Sequence, residues 1–170
     1  MKQMFLMILT IVFSGCYCQR RNCDGTALLI PRHTYIPLYN HINGSSIDSI
    51  INDTINEDYV GICIKKIKRG YAKIISRNVL IDTIPKQGWI ELKYLGINPA
   101  IYSGMMMLRT EPKATAPIMN IINNPWWGSL YNIYDCTNQW LYIRTIVDGK
   151  VVEGWMAPED QCCNPYSTCN

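Results

Sequence analysis

The sequence has little helical periodicity beyond its N-terminus, and it has no strong charge of either sign. The formal net charge is +3, and the basic residues are scattered apart from one short cluster at Lys65–Arg69. A protein that binds nucleic acid is expected to carry a broader basic patch interleaved with aromatic residues. We therefore expect no nucleic-acid partner and interpret the cluster as a solvated strand face.

Motifs that carry chemistry are also missing. There is no paired-carboxylate motif, phosphate-cradling glycine loop or metal-binding run, and neither histidine, His33 nor His41, has zinc-ligand spacing with the cysteines. The one nucleophile arrangement to weigh is Cys63 with a histidine. Cys63 alternates with Ile62 and Ile64 in a strand-like run, which favours a structural or disulfide-bonded thiol. We expect no catalytic activity, cofactor or metal, and a hydrolase is the weakest alternative.

The N-terminus is typical of an export signal. Lys2 precedes ten apolar residues, Met4–Phe13, and small residues follow. This run is too short to span a bilayer, and no other segment of the sequence could span one. We expect an exported protein, located in the periplasm or attached to the outer membrane as a lipoprotein.

Two processing routes remain open. Phe13-Ser14-Gly15-Cys16 resembles a lipobox, although Phe13 stands where Leu is usual, and lipidation of Cys16 would attach the protein to a membrane. The other route removes residues 1–18 as a signal peptide. Cleavage after Cys18 leaves an even six cysteines, whereas lipidation at Cys16 leaves an odd thiol.

The remaining cysteines predict disulfides, because export implies an oxidising compartment. Cys162, Cys163 and Cys169 crowd the C-terminal tail, residues 162–170, and Cys136 lies in the preceding hairpin. We expect a bond from Cys136 to Cys162 or Cys163, which would tie the tail to the body of the protein.

The rest of the chain predicts an all-β protein. Short runs rich in Ile, Val, Tyr and Trp are separated by Gly, Asn, Asp and Pro, and Asp148-Gly149 is a strong hairpin signal. The predicted strands are Ala27–Ile30, Ile36–Tyr39, Tyr59–Lys66, Tyr71–Ser76, Gly88–Glu91, Gly104–Arg109, Ser129–Asp135, Trp140–Ile146 and Val151–Met156.

The pattern occurs twice. A shift of 69 positions places Tyr71 on Trp140, and a shift of 66 places Gly88-Trp89 on Gly154-Trp155, so the first copy carries three extra residues in a hairpin loop. Length changes in loops are what a diverged repeat tolerates best. We expect two units, residues 24–95 and 100–161, divided by a break at Leu95–Ala100, with the aromatic residues capping each core.

These motifs resemble the bacterial SH3 (SH3b) family of small β-barrels. In the second copy, "GMMMLRTEPKATAPIM" is similar to the family's opening strand and turn, and "WLYIRT…GKVVEGWMAP" to its central hairpin and closing strand. In the first copy, "DYVGICIKKIKRGYAKI" and "GWIEL" match, but Asn40 stands where Arg is common. The resemblance covers about residues 27 to 161 and implies two tandem SH3-like barrels.

The resemblance also implies a non-catalytic module of the cell envelope that binds a cell-wall peptide, a glycan or an envelope protein. An alternative is a periplasmic inhibitor or immunity-type protein that blocks a partner enzyme. Exposed, rigid aromatic side chains suit such binding. Trp126 and Trp127, in a loop after Pro125, are our first candidates for the ligand contact, and Tyr102 and Tyr134 are the second.

Overall fold

The computed structural model describes residues 23–170, except 54, 58, 79–83, 127, 129, 165–168 and 170. This part of the chain is all-β, with thirteen strands, two short 3₁₀ turns and no α-helix. The strands are β1 (Gly25–Leu29), β2 (Tyr35–Tyr39), β3 (Ser46–Ile51), β4 (Val60–Lys68), β5 (Tyr71–Asn78), β6 (Gln87–Glu91), β7 (Leu95–Pro99), β8 (Met105–Arg109), β9 (Ile118–Asn123), β10 (Tyr131–Thr137), β11 (Trp140–Val147), β12 (Lys150–Met156) and β13 (Gln161–Cys162). The 3₁₀ turns are Leu92–Tyr94 and Pro158–Asp160.

The predicted strands are all present, with ends displaced by one or two residues. They form because buried and exposed side chains alternate along them, as in β4 and β11. The predicted hairpin at Asp148-Gly149 is confirmed, since both residues have positive φ, which a two-residue turn of the primed type requires. Two further turns have the same geometry, at Arg69-Gly70 and at Asn138-Gln139.

The strands pair into one open antiparallel sheet. The order is β3-β2-β6-β5-β4-β1-β7-β10-β11-β12-β8-β9, and β13 pairs with β7 beside this path. Strands β3 and β9 therefore lie at the two ends of the sheet. The order places β1, β7 and β10 at its centre, where the two halves of the chain meet.

The pairing scheme repeats. In the first half β2 pairs with β3 and β6, and β4 pairs with β1 and β5. In the second half β8 pairs with β9 and β12, and β10 pairs with β7 and β11. Each half ends with a 3₁₀ turn and a strand that pairs with the first strand of that half. The internal repeat seen in the sequence is thus also a repeat of strand pairing.

The segment Leu95–Ala100, expected to interrupt the strands between the two units, instead contains a strand. Residues Leu95–Pro99 form strand β7, all five residues are buried, and the strand pairs with β1, β10 and β13. Gly96 lies within the strand. Pro99 is its last residue, where the missing backbone N–H disturbs the hydrogen bonds between strands least. The last strand of the first half therefore also serves as the first strand of the second.

The buried core is continuous across both halves. Its largest fully buried side chains are aliphatic, and the inward positions of the repeated strands supply them. They include Ile36, Leu38, Ile64, Ile74 and Ile90 in the first half, and Met106, Leu108, Ile133, Leu141 and Ile143 in the second. Trp155 is buried and Trp89 half-buried, so the two tryptophans contribute to the core to different extents.

The disulfides differ from the expected pairing. Cys136 is bonded to Cys23, and Cys162 is bonded to Cys169, so the expected bond from Cys136 to Cys162 or Cys163 is wrong. The sequence could not show that β1 and β10 flank the same strand, which brings Cys23 close to Cys136. Cys163 has an exposed free thiol. The predicted signal segment and lipidation residue, residues 1–18 with Cys16, lie outside the described residues.

Candidate ligand-binding groove

A groove lies where the two halves of the sheet meet, with a volume of about 510 Å³. One wall comes from the first half and the other from strand β10 of the second half. The lining residues are Ile30, Arg32 and His33 after β1, Gly70 in the β4–β5 turn, Leu92 and Lys93 in the first 3₁₀ turn, and Asn132, Ile133 and Tyr134 in β10.

Backbone hydrogen bonds hold the segments of the first wall together. The N–H of Ile30 donates to the carbonyl oxygen of Tyr94 at 2.9 Å, and the N–H of Leu92 donates to that of Gly70, also at 2.9 Å. These bonds connect the end of β1, the first 3₁₀ turn and the β4–β5 turn. The first wall is therefore built by three separate segments whose relative positions are fixed by the backbone.

The first wall is cationic. Arg32 is exposed, His33 is half-buried, and Lys93 is exposed, while none of the described lining residues is acidic. The Lys93 Nζ lies 2.8 Å from the Glu91 Oε2 and 4.9 Å from the centre of the Tyr94 ring. The hydrogen bond with Glu91 raises the pKa of Lys93, so this ammonium stays charged at neutral pH. The wall thus presents the exposed guanidinium of Arg32 and the ammonium of Lys93, which is ion-paired with Glu91.

His33 is also held in place. Its ring packs edge-on against Tyr94, with ring centres 4.8 Å apart and planes at 89°. Edge-to-face packing at this distance is a favourable aromatic arrangement. Tyr94 therefore positions both His33 and Lys93 at the groove.

Tyr134 supplies the aromatic side of the second wall. It is 44% exposed and follows the buried Ile133, as the alternation in the sequence predicts. The Arg144 guanidinium lies 4.8 Å from the centre of the Tyr134 ring, and its Nε donates to the Glu153 Oε2 at 2.7 Å. This bond lowers the pKa of Glu153. Tyr134, Arg144 and Glu153 therefore form a chain of three contacting side chains.

The other predicted contact residues do not join Tyr134. Trp126 is 73% exposed and Tyr102 is 49% exposed, as expected of binding candidates, but neither lines the groove. Trp127 lies outside the described residues. Of the three candidates that the structure describes, Tyr134 alone lines this groove.

The thiol and imidazole groups weighed as a nucleophilic pair have other surroundings. Cys63 lies on the exposed side of β4 between the buried Ile62 and Ile64, as the alternation predicts. His33 packs against Tyr94, and the Nδ1 of His41 is 2.6 Å from the Asn40 side-chain oxygen. Within the described residues no group of three or more His, Cys, Asp or Glu side chains is arranged to hold a metal ion.

Sequence reasoning missed Arg32, His33 and Lys93 as site residues. Arg32 and His33 are more than fifty positions from Lys93, and no local motif joins them. They come together because β1 and the first 3₁₀ turn are neighbours in the fold. A resemblance between the halves does not reveal such a site, because residues of both halves line the groove.

No family model and no curated protein matches the chain. In the part of the chain that the structure describes, no helix is both long and apolar enough to cross a membrane.

Proposed function

We propose that this chain is a non-catalytic binding protein of the cell envelope that holds a carboxylate-bearing peptide in the groove. The observation that carries the proposal is the composition of the groove: Arg32, His33 and Lys93 on one wall, Tyr134 on the other, and no acidic lining residue. Cationic donors recognise carboxylates through charge-assisted hydrogen bonds. A rigid tyrosine adds apolar contact area and a hydroxyl group.

The size of the groove suits this class of ligand. Small-molecule sites usually have volumes of about 300–1,000 Å³, and the groove has about 510 Å³. It holds a few residues of an extended peptide rather than a folded domain. Among envelope ligands, the stem peptides of the cell wall combine this size with free carboxylates.

The proposal includes two SH3-like barrels that share strand β7. Support comes from the repeated pairing scheme, in which each half places a 3₁₀ turn before the strand that returns to its first strand. Such a return places the last strand of each half beside its first strand. The resemblance to the SH3b family favours the same architecture.

Export is part of the same proposal, either after removal of residues 1–18 or with a lipid on Cys16. The disulfides Cys23–Cys136 and Cys162–Cys169 support an oxidising compartment.

Sedimentation with isolated peptidoglycan tests the function. We expect the wild-type protein to sediment with the wall and the double variant Arg32→Glu/Lys93→Glu to lose at least about tenfold in affinity. The matched control is Lys73→Glu/Lys150→Glu, which changes net charge by the same amount at exposed positions away from the groove lining. Equal loss in both double variants would reduce the effect to general electrostatic attraction.

One observation favours the alternative, an inhibitor that binds a partner enzyme. The β8–β9 hairpin, at one end of the sheet, exposes four apolar side chains, Met105, Ile118, Met119 and Ile121. Exposed apolar patches mark protein contacts more often than chance. This alternative predicts that Ile118→Lys/Ile121→Lys abolishes inhibition of the partner enzyme, whereas Arg32→Glu/Lys93→Glu leaves it intact.

A further inference from the structure

A second cavity lies near the centre of the sheet, with a volume of about 140 Å³. Most of its wall is apolar, formed by Leu28, Leu29, Pro31, Val60 and Leu130. Asn52, Tyr59, Asn98 and Gly128 complete the lining, which contains no charged residue in the part of the chain described. A cavity of this kind accepts a small neutral group rather than an ion.

Asn52 gives the cavity a specific polar feature. The residue is 2% exposed, and its backbone N–H donates to the Thr34 carbonyl oxygen at 2.9 Å. Its side-chain Nδ2 is buried and has no hydrogen-bond acceptor among the described residues. Buried donors are nearly always paired in proteins, so an unpaired one needs an explanation. An acceptor delivered by a ligand supplies it.

We propose that this cavity binds the acetamido group of an N-acetylated amino sugar. The acetyl carbonyl oxygen accepts a hydrogen bond from the Asn52 Nδ2, and the acetyl methyl group packs against the apolar wall. The volume is sufficient, because a dry cavity of about 150 Å³ holds a benzene molecule. The group is neutral, as the uncharged lining requires.

The aromatic neighbour at the rim favours a sugar as the carrier of this group. Gly128 lines the cavity, and a Cβ on Gly128 would stand 2.6 Å from the Trp126 Nε1, so the indole lies directly beside the rim. Trp126 is 73% exposed. An exposed indole offers a flat apolar surface to the C–H face of a pyranose ring. Trp126, predicted from the sequence to contact a ligand, would then do so at this cavity and not at the groove.

The direct test is calorimetric titration of the full mature protein with the β-1,4-linked tetramer of N-acetylglucosamine. Cellotetraose is the matched control, since it has the same backbone with a hydroxyl in place of each acetamido group. We expect binding of the acetylated tetramer and at least about tenfold weaker binding of cellotetraose. Equal affinity for the two sugars, or no binding of either, would overturn the proposal.

Variants locate the contact. Asn52→Leu removes the donor, and Gly128→Ala displaces the indole; each is expected to weaken binding of the acetylated tetramer at least about tenfold. If Asn52→Leu does not fold, Asn52→Ala removes the donor without placing a charge in the apolar wall. Thermal unfolding shows that each variant is folded. Unchanged affinity in a folded Asn52 variant contradicts the proposal.

The proposal for the cavity can be tested separately from the proposal for the groove. Arg32→Glu/Lys93→Glu is expected to bind the acetylated tetramer like the wild type, because none of the cavity's lining residues is altered. Loss of sugar binding in that variant would overturn the assignment to this cavity. An N-acetylated dipeptide amide is the last probe, and its binding in place of the sugar would overturn the choice of an amino sugar.

Discussion

Gly88 lies so close to Leu38 that a Cβ at position 88 would stand 2.7 Å from the Leu38 Cγ. The same relationship recurs in the second half, where a Cβ on Gly154 would stand 2.8 Å from the Leu108 Cβ. The paired strands β2 and β6, and likewise β8 and β12, therefore approach each other at points where only glycine leaves enough space. This accounts for the glycine of each Gly-Trp pair, because it admits the neighbouring strand.

Gly88→Ala is expected to destabilise the protein by about 1–3 kcal/mol, the usual cost of overpacking a core. In the Leu38→Ala background the added cost should fall, because alanine lacks the Cγ that the new methyl group meets. It should not vanish, since the Tyr39 carbonyl oxygen stands 2.9 Å from the same point. Denaturant unfolding of the four proteins of this cycle measures the coupling.

Gly154 provides the contrasting case. Its nearest neighbour is the Leu108 Cβ, which alanine retains, and its φ of +150° strains any other residue. Leu108→Ala is therefore expected not to relieve the cost of Gly154→Ala. If the Leu→Ala substitutions reduced the cost of Gly88→Ala and of Gly154→Ala by similar amounts, the close contacts would not be the reason that glycine is needed.

Removal of the Cys23–Cys136 bond should cost more stability than removal of Cys162–Cys169. The first bond joins residues 113 positions apart, and the second joins residues 7 positions apart. A longer closed loop restricts the unfolded chain more, so we expect a loss of roughly 2–5 kcal/mol for Cys23→Ala/Cys136→Ala and a smaller loss for Cys162→Ala/Cys169→Ala. Non-reducing peptide mapping that links Cys136 to Cys162 or Cys163 would contradict this pairing.

Much of the fold could be predicted from the sequence because alternation and turn signals are local. The strands that escaped prediction lack those signals. Strand β7, "LGINP", is buried at every position and contains Gly96 and Pro99, so it does not alternate and resembles a linker. Strands β3 and β9 at the ends of the sheet expose apolar side chains such as Ile47, Ile118 and Ile121, so apolar residues do not mark a single buried face along them.

The site could be predicted only in part. Tyr134 was accessible to sequence reasoning because it alternates with the buried Ile133. Arg32, Lys93 and Asn52 were not, because their proximity to a cavity depends on strand pairing across the centre of the sheet. The disulfide partner of Cys136 was missed for the same reason.

Asp160 should make stability depend on pH between about 4 and 6. Burial in the second 3₁₀ turn, with a smaller contribution from Glu159, raises the pKa of Asp160 from 3.8 to about 6. The folded state then binds a proton more tightly than the unfolded chain. The stabilisation that protonated Asp160 gives the folded state is therefore fully present below about pH 4. It is lost as the pH rises to about 6, by roughly 1–3 kcal/mol.

Asp160→Asn isolates this effect, because the amide does not ionise. The variant is expected to gain stability relative to the wild type at pH 7.5 and to show little gain at pH 3.5, as measured by denaturant unfolding. Asp148→Asn, the same substitution at an exposed position in the β11–β12 turn, is the control. A gain that is equal at both pH values would contradict the raised pKa of Asp160.

Recognition of carboxylates by the cationic groove is tested most directly by capping those carboxylates. Isolated peptidoglycan is divided, and the free carboxyl groups of one portion are converted to amides. The wild-type protein is expected to bind the untreated wall at least about tenfold more tightly than the amidated wall, whereas Arg32→Glu/Lys93→Glu should lose this preference for the untreated wall. Equal binding of the two walls by the wild-type protein would contradict the proposed function of the groove.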